Sequence, residues 1–454
     1  MAADTIQVIE GCAVATVDAA GTEHRDGHVI LHGNRIHAVG AGPAPETPGA
    51  TRIDGRGCLL TPGLVNTHHH LYQWITRGLA PDATLFEWLT TLYPIWAGID
   101  EDATRVAATG ALAALARTGC TTTTDHHYVF PRHAGDLLAA EIDAARTVGL
   151  RFHPTRGSMD LGRSAGGLPP DAVVESLDDI LKASADAVSR WHDPSFDSML
   201  RIALAPCSPF SVTTDLLRES AVLARELGVR LHTHVAETRD EERYCRETHG
   251  CTPAEYMERL DWVGPDVWWA HAIHLDDTAI TTMARTGTGA AHCPTSNARI
   301  GTGIARIPAL LAAGVPVGLG VDGAASNESG SLIEEPRNAL FFARQTAGPQ
   351  SMTTRTALEL ATMGGARILG RADEIGSLEP GKLADLALWN LTGPAYAGID
   401  DPVTALILGA APPLAALIVN GRMVVRDGEV RTVDEAEVGR RVARAQARLV
   451  AAAR

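Results

Sequence analysis

The chain has 454 residues, of which 45% are hydrophobic, and its formal net charge is -15. This length exceeds the roughly 250 residues of an ordinary α/β barrel and leaves room for a smaller second unit. An acidic surface repels phosphate groups, which excludes nucleic acids and anionic membranes as expected partners, and no apolar run approaches the ~18 residues of a membrane-spanning helix.

The first 60 residues favour a small β unit. Apolar and polar residues alternate over residues 11–18, 27–39 and 51–60, and turn residues such as Gly33 and Asn34 separate these runs. Alternation bounded by turn residues is typical of half-buried strands.

Residues 61–370 follow a different pattern, in which short apolar runs alternate with Ala- and Leu-rich helical stretches, as in a parallel βα sheet. Eight runs are predicted as strands: 60–67, 119–125, 150–156, 200–207, 229–236, 267–271, 288–293 and 315–322. Eight βα units fit a closed (β/α)8 TIM-type barrel. A doubly wound open sheet is the alternative, although no Gly-rich phosphate loop follows the first strand.

Strands return in residues 371–454, at 376–381, 384–390 and 416–425, the last with a hairpin turn at Asn420 and Gly421. Such a turn joins antiparallel strands. We therefore expect residues 1–60 and 371–454 to form one small β-sandwich domain beside the barrel, with a helix in the tail from residue 433.

Metal-binding residue types stand at the ends of the predicted barrel strands, where this fold carries its functional groups. His68 and His70 follow the first strand, and two residues apart in extended chain they point the same way. His234 lies near the end of the fifth strand and Asp322 at the end of the eighth. Imidazole and carboxylate groups bind zinc and similar ions. The four residues predict a site for one divalent metal, for which zinc and iron are both acceptable.

Two features of this prediction stay open on the sequence alone. His232 and His234 share a face of the fifth strand, so alternation does not choose between them; His234 is preferred because it is nearer the strand end. His271 ends the sixth strand and is predicted to contact the metal, the water or the attacked group.

Glu237 follows His234 by three residues and is predicted to carry a proton between an activated water molecule and the leaving group. The alternative is a solvated residue at the start of a helix. Glu237, His271 and Asp322 are therefore the candidate catalytic residues. His292, at the end of the seventh strand, is expected to contact substrate or water.

Three more side chains are candidate substrate contacts in a flat, mainly apolar pocket. Gln73 offers a donor and an acceptor, Arg156 could meet an oxo group, and Trp88 could stack on a ring. Each also has an ordinary structural role open to it: Gln73 capping a helix, Arg156 pairing with a carboxylate, and Trp88 packing in the core.

These motifs resemble the amidohydrolase superfamily. The matching segments extend over most of the chain and are residues 62–70, 232–237, 292–297, 322–327 and 381–386. Some members hold two metals bridged by a carbamylated lysine on a middle strand, but the only lysines here, Lys182 and Lys382, lie outside the predicted strands. The resemblance thus implies the single-metal branch, with four ligands and two proton-handling residues: His68, His70, His234 and Asp322, then Glu237 and His271.

Within that branch the chain resembles the deaminases of aromatic heterocycles, and the 8-oxoguanine deaminases in particular. The supporting segments are residues 68–73, 85–89, 125–131, 155–159 and 205–210. The resemblance implies a small heteroaromatic substrate, with 8-oxoguanine converted to urate and ammonia. Guanine, isoxanthopterin and hydroxytriazines remain alternative substrates. A two-metal amidase such as a hydantoinase, and a non-catalytic metal-binding barrel, are the competing classes.

The cysteines and the first residues of the chain indicate the compartment in which the protein resides. The seven cysteines have no disulfide-type spacing, and the first residues lack the basic and apolar regions of a signal peptide. A reducing cytoplasm is therefore expected. The sequence leaves open whether the chain forms a homo-oligomer.

Overall fold

The computed structural model describes residues 5–132 and 134–454. At its centre is a closed barrel of parallel strands, in which Leu319 of the last strand pairs with Asn66 of the first. The barrel strands are Leu64–Asn66, Cys120–His127, Arg151–Ser158, Ala203–Pro206, Arg230–Val235, Val267–His271, Gly289–His292 and Val317–Leu319. The predicted barrel is confirmed, and the open-sheet alternative is wrong.

Helices connect and surround these strands. Several begin at an Asp, Ser or Thr whose side chain accepts a backbone N–H, as Asp100 does from Ala103, which satisfies a donor that the helix itself leaves free. The α-helices of the described residues are Leu85–Trp96, Glu101–Arg117, Leu137–Val148, Leu177–Trp191, Thr214–Leu227, Arg239–His249, Pro253–Arg259, Asp277–Thr286, Pro294–Ile300, Ile307–Ala312, Glu334–Ala347, Thr354–Glu359, Gly365–Ile368, Pro402–Leu408 and Glu435–Ala452. None of the helices described is both long and apolar enough to cross a membrane.

Both ends of the chain contribute to one separate β-sheet. Its central strand Cys58–Pro62 runs parallel to Ile6–Ala15 and antiparallel to Leu386–Asn390. The remaining strands of this sheet are Glu23–His32, Arg35–Ala41, Thr51–Asp54, Leu414–Val419, Arg422–Arg426 and Glu429–Val430. The predicted association of the two chain ends in one small β unit is confirmed.

The strand predicted at 60–67 is in fact two strands. Cys58–Pro62 belongs to the terminal sheet and Leu64–Asn66 to the barrel, with Gly63 between them. A Cβ atom on Gly63 would lie 2.1 Å from Thr121 Cγ2, so the chain can pass from sheet to barrel at this distance only because residue 63 has no side chain.

The two ends of the barrel differ. The chain around Ile368 packs under the starts of the strands: Cβ atoms added at Gly289 and Gly318 would lie 2.7 Å from Ile368 Cγ2 and 3.0 Å from its Cδ1. The lower end is therefore closed by protein. The opposite end, at the carboxyl ends of the strands, carries the predicted site residues.

Candidate active site

The four predicted metal ligands meet at the upper end of the barrel. His68 Nε2 and His70 Nε2 each lie 3.3 Å from Asp322 Oδ1. His70 Nε2 lies 3.2 Å from His234 Nε2. Residues from the first, fifth and eighth strands thus place three imidazole nitrogens and one carboxylate oxygen around a single point.

The far nitrogens of two of these rings fix where their protons lie. His70 Nδ1 donates to the carbonyl oxygen of His126 at 2.7 Å, and His234 Nδ1 donates to that of Cys207 at 2.6 Å. Because a carbonyl oxygen can only accept, each Nδ1 carries the proton and each Nε2 of the neutral ring presents a lone pair. Two such lone pairs facing each other at 3.2 Å call for a cation between them.

The proton of His68 is placed in a similar way, by a chain of two hydrogen bonds. His232 Nδ1 donates to the carbonyl oxygen of Trp268 at 2.9 Å, so His232 Nε2 accepts the proton of His68 Nδ1 at 2.8 Å. His68 Nε2 is then a lone pair, buried and without a hydrogen-bond partner in the described part of the chain. His232 orients His68, whereas His234 reaches the central point.

Burial keeps the site in the protonation state that a metal requires. It lowers the pKa of His68 and of His234, because an imidazolium is poorly solvated inside the barrel. Neutral imidazoles and a carboxylate form a donor set that zinc and iron both accept. The residues present therefore fit one divalent cation.

Asp322 is held on both oxygens. Ser296 Oγ donates to Oδ2 at 2.6 Å, and the backbone N–H of Gly323 donates to Oδ1 at 2.7 Å. These bonds fix the carboxylate plane, as partners of metal ligands commonly do.

Glu237 and His271 stand beside the four ligands. His271 Nε2 lies 3.8 Å from Glu237 Oε1 and 3.9 Å from Asp322 Oδ2, while His271 Nδ1 bonds Asn297 Oδ1 at 2.9 Å. Burial, reinforced by the charge of Asp322, raises the pKa of Glu237. Burial alone would lower the pKa of His271, but the charges of Glu237 and Asp322 raise it overall. Glu237 and His271 therefore stand next to the ligands with the pKa of each raised, a position in which either group can take up a proton.

Three strand ends carry left-handed backbone at residues other than glycine. The φ angles of Ala236, His271 and Asp322 are 56°, 69° and 63°. This conformation is unfavourable for residues with a Cβ, and it concentrates at functional sites. Here it turns the chain at the mouth of the barrel, next to Glu237 and at two site residues themselves.

A cavity lies above these groups. Its walls are largely apolar and aromatic, and its floor is polar; the lining residues are His70, Gln73, Leu85, Trp88, Leu89, Tyr93, Tyr128, Cys207, Ser208, Phe210, His234, Glu237, His271, Ile300, Asp322 and Ser326. Gln73 is buried, and neither amide atom has a hydrogen-bond partner among residues 5–132 and 134–454. Trp88 forms part of the wall while its Nε1 donates to the carbonyl oxygen of Ala325 at 3.1 Å.

The structure does not bring Arg156 to this cavity. Its Nη2 binds both carboxylate oxygens of Glu175, at 2.6 and 2.9 Å, and its guanidinium lies 3.7 Å from the ring centre of Phe130. Arg156 therefore pairs with a carboxylate, which was the structural alternative for this residue. Its side chain does not line the cavity, so the structure gives no support to a contact between Arg156 and the substrate. His292 is buried near His271, and its pKa is lowered to about 3, mainly by burial and to a smaller extent by the charge of His271. Like Arg156, it does not line the cavity.

Sequence reasoning missed several residues that organise the site. Ser296 and Asn297 lie on the short helix Pro294–Ile300, inside a motif that had drawn attention only for its histidine. His126 stacks on His234 with ring centres 4.7 Å apart, and the run of polar residues at the end of the second strand was the available signal. Glu241 accepts the backbone N–H groups of Ala236 and Glu237, each at 2.8 Å; it resembled a solvated residue in a charged segment.

The sequence is similar to those of known proteins over most of its length. The model of the amidohydrolase family matches residues 59–430. An 8-oxoguanine deaminase of Pseudomonas aeruginosa is 43% identical, over 96% of this chain and 98% of that protein. An isoxanthopterin deaminase from an unknown prokaryotic organism is 38% identical, over 92% of this chain and 91% of its own length.

A solved structure is similar over nearly the full length as well. The crystal structure of an atrazine chlorohydrolase from Arthrobacter aurescens, complexed with zinc, matches with a TM-score of 0.92 and 33% identity. The match covers 97% of this chain and 99% of that chain. Both the barrel and the terminal sheet thus fall within the region of likeness.

Proposed function

Because the chain belongs to the amidohydrolase family, we propose that it is a zinc-dependent deaminase that converts 8-oxoguanine and water into urate and ammonia. One observation carries the proposal. Three imidazole lone pairs and the Asp322 carboxylate converge beside Glu237 and His271, on the floor of a cavity with apolar walls.

The donor set supports a single zinc ion held by His68, His70, His234 and Asp322. When bound there, a divalent metal acts as a Lewis acid and makes a water molecule nucleophilic near neutral pH. The zinc complex of the related atrazine chlorohydrolase supports the choice of zinc.

Glu237 is the proton carrier in this proposal. It accepts a proton from the attacking water and delivers it to the ring nitrogen next to the carbon that bears the amino group. Its raised pKa, caused first by burial, lets the carboxyl group keep that proton long enough to pass it on. The C–O bond forms, the second proton of the attacking water passes by way of Asp322 and His271 to the amino group, the C–N bond breaks, and ammonia leaves.

His271 stabilises and relays charge between the two carboxylates. Its Nε2 faces Glu237 and Asp322 at 3.8 and 3.9 Å, and Asn297 holds the opposite side of the ring. A proton on Nε2 can therefore stabilise either carboxylate as negative charge moves between them.

The shape and polarity of the cavity support a flat heterocycle. Leu85, Leu89, Phe210 and Ile300 give apolar surface, and Gln73 offers one donor and one acceptor with no partner in the described residues. An amide or amidine edge of a purine presents the complementary acceptor and donor. Two relatives that match over most of the chain carry the names of an 8-oxoguanine and an isoxanthopterin deaminase, which supports a fused bicyclic substrate.

Ammonia release tests the proposal directly. Zinc-loaded protein is assayed with 8-oxoguanine, guanine, isoxanthopterin and a hydroxytriazine, and urate is followed by absorbance alongside ammonia. We expect the highest kcat/KM on 8-oxoguanine, with one urate formed for each ammonia. A higher kcat/KM on another compound would transfer the assignment to that substrate, and no ammonia from any of the four would overturn the deaminase proposal.

Metal content separates the competing classes. About one zinc per chain in active protein agrees with the proposal. Nearly two would favour a two-metal amidase, and a fully folded protein without metal would favour a non-catalytic barrel.

A further inference from the structure

A second polar cluster lies at the closed lower end of the barrel, away from the candidate active site. His153 and Arg230 belong to the third and fifth barrel strands, and Arg201 immediately precedes the fourth. Arg371 follows the helix Gly365–Ile368, whose chain closes this end. Arg230 shares the face of its strand with His232 and His234, so it points into the barrel below them.

Two members of the cluster are fully buried, and Arg201 and Arg230 are partly buried. His153 is 1% exposed and Arg371 is 0% exposed. The ring centre of His153 lies 6.1 Å from that of Trp268, whose other neighbour, His232, stacks on it at 4.4 Å. Trp268 thus separates this cluster from the histidines of the active site.

Several donors of the cluster have no acceptor. The Nε atoms of Arg201 and Arg230, Nη1 of Arg371 and both ring nitrogens of His153 are buried and lack a hydrogen-bond partner in the chain as far as it is described. In the neutral ring of His153 one of the two nitrogens is an N–H donor. Buried N–H groups are nearly always satisfied, because leaving one without an acceptor is costly. So many in one place indicate a ligand that accepts hydrogen bonds.

The cluster also carries uncompensated positive charge. Arg201 and Arg371 share a single carboxylate: Arg201 Nη2 binds Glu374 Oε1 at 2.6 Å, and Arg371 Nε binds Glu374 Oε2 at 2.7 Å. Arg230 donates to the carbonyl oxygen of Pro265 instead of to a carboxylate. The neighbouring Arg151 is balanced by Asp385. The three guanidinium groups of Arg201, Arg230 and Arg371 therefore have one directly bound carboxylate between them, that of Glu374. Asp266 also acts on Arg230, but it is paired with Arg225.

These charges persist at neutral pH. Burial and the neighbouring arginines lower the pKa of Arg371 to about 10, and burial lowers that of Arg230 to about 10, so both stay cationic. His153 is neutral, because burial and the charges of Arg371, Arg201 and Arg230 lower its pKa. A buried positive charge without a partner is strongly unfavourable.

We infer that the floor of the barrel binds a chloride ion among His153, Arg201, Arg230 and Arg371. An anion satisfies the free donors and offsets the excess charge at once. The paired forks of Arg201 and Arg371 are already used on Glu374 and on backbone carbonyls, which leaves single N–H groups from different side chains. A spherical halide accepts such donors from any direction, whereas carboxylates and phosphates favour a paired fork.

Bromide identifies the ion in a crystal. Crystals of the metal-loaded protein are grown in sodium bromide and measured at the bromine absorption edge. An anomalous peak surrounded by the four side chains would establish the halide site. Water alone at this position, or an oxyanion retained from the buffer, would overturn it.

Thermal unfolding tests the same site in solution. The Tm is measured in chloride, in bromide and in gluconate at equal ionic strength, gluconate being a bulky organic carboxylate and not a halide. We expect a Tm increase that saturates with chloride or bromide in the wild type, and no such increase in Arg230→Met. Arg285→Met, which removes an exposed arginine paired with Glu258, should keep the wild-type increase. Equal Tm values in the three salts for the wild type would contradict the inference, and the bromide crystal decides the matter if Arg230→Met does not fold.

Discussion

At the scale of single residues, hydrogen bonds on the far side of each imidazole decide the chemistry of the site. Carbonyl oxygens of His126 and Cys207 hold the Nδ1 protons of His70 and His234, and His232 does the same for His68. The lone pairs that face the centre are thus set by the fold before any metal arrives. Partners of this kind raise the basicity of the ligating nitrogen and keep the ring in place.

Replacing Glu237 by Gln removes the proposed proton carrier while keeping the size of the side chain. We expect zinc content to stay at the wild-type level and kcat to fall by about 10²–10⁴-fold, the usual contribution of a general acid–base group. Ammonia release and metal analysis on the same sample check both parts. Glu242→Gln is the matched control, because Glu242 pairs with Arg239 and Arg246 on the helix that follows. Wild-type turnover in Glu237→Gln would mean that another group moves the proton.

His232 is testable as a positioning residue for His68. His232→Leu leaves the His68 Nδ1 proton without its acceptor, and we expect zinc affinity to fall by about 10–100-fold, as for other partners of metal ligands. His232→Gln, whose amide oxygen can accept the same proton, should retain most of the affinity. Competition with a chelator measures both variants. Equal affinities of the leucine variant and the wild type would exclude the orienting role.

At the scale of elements, the barrel explains why the convergence of His68, His70, His234 and Asp322 could be predicted from the sequence. Parallel strands of a closed barrel end at one rim, so a histidine or aspartate at each strand end had to converge with the others. The direction of Arg156 could not be predicted in this way, since one residue more or less reverses the face of a strand. Ser296 and Asn297 were not predicted as site residues because they lie on a helix that begins just after the seventh strand, and not at a strand end.

The junction between the terminal sheet and the barrel depends on Gly63. Gly63→Ala places a methyl group 2.1 Å from Thr121 Cγ2 and 2.7 Å from its Cβ, so backbone must shift. We expect a loss of about 1–3 kcal/mol in the free energy of unfolding, as for other overpacked sites. Gly439→Ala adds the same methyl group to open space within the helix Glu435–Ala452 and should stabilise by about 0.5–1 kcal/mol. Denaturant unfolding compares the two; equal stabilities would show that the junction tolerates a side chain.

A buried glutamate on the helix Glu334–Ala347 gives that element a pH dependence. Glu335 accepts the Thr295 backbone N–H at 3.2 Å and the Asn327 amide at 2.8 Å, yet burial raises its pKa from 4.5 to about 8. The folded chain therefore holds a proton that the unfolded chain releases above pH 4.5. This stabilisation is complete below about pH 4.5 and is lost as the pH rises to about 8.

The substitution Glu335→Gln isolates this effect. The amide does not titrate, so the variant should lose less stability than the wild type between pH 6 and pH 9. The value of wild-type Tm minus variant Tm should therefore decrease over that range. Glu258→Gln, at an exposed position, is the control for a general charge effect. Parallel Tm profiles of Glu335→Gln and wild type would contradict the raised pKa.

At the scale of the whole molecule, sequence and structure agree on the architecture and differ on its boundaries. Periodic apolar runs indicated the barrel, and similar strand patterns at both ends of the chain indicated their shared sheet. The passage from sheet to barrel at Gly63 gave no signal, because two short apolar strands in succession look like one long strand. The polar floor of the barrel was equally invisible, since His153, Arg201 and Arg230 are far apart in sequence and match no motif.

We expect one metal ion at the point where three imidazoles and one carboxylate converge. Anomalous diffraction at the zinc edge, from crystals of the purified protein, tests it most directly. We predict one peak per chain, within about 2.0–2.2 Å of the Nε2 atoms of His68, His70 and His234 and of a carboxylate oxygen of Asp322. A peak elsewhere, a second peak of equal height beside the first, or a fully active crystal without any peak would contradict it.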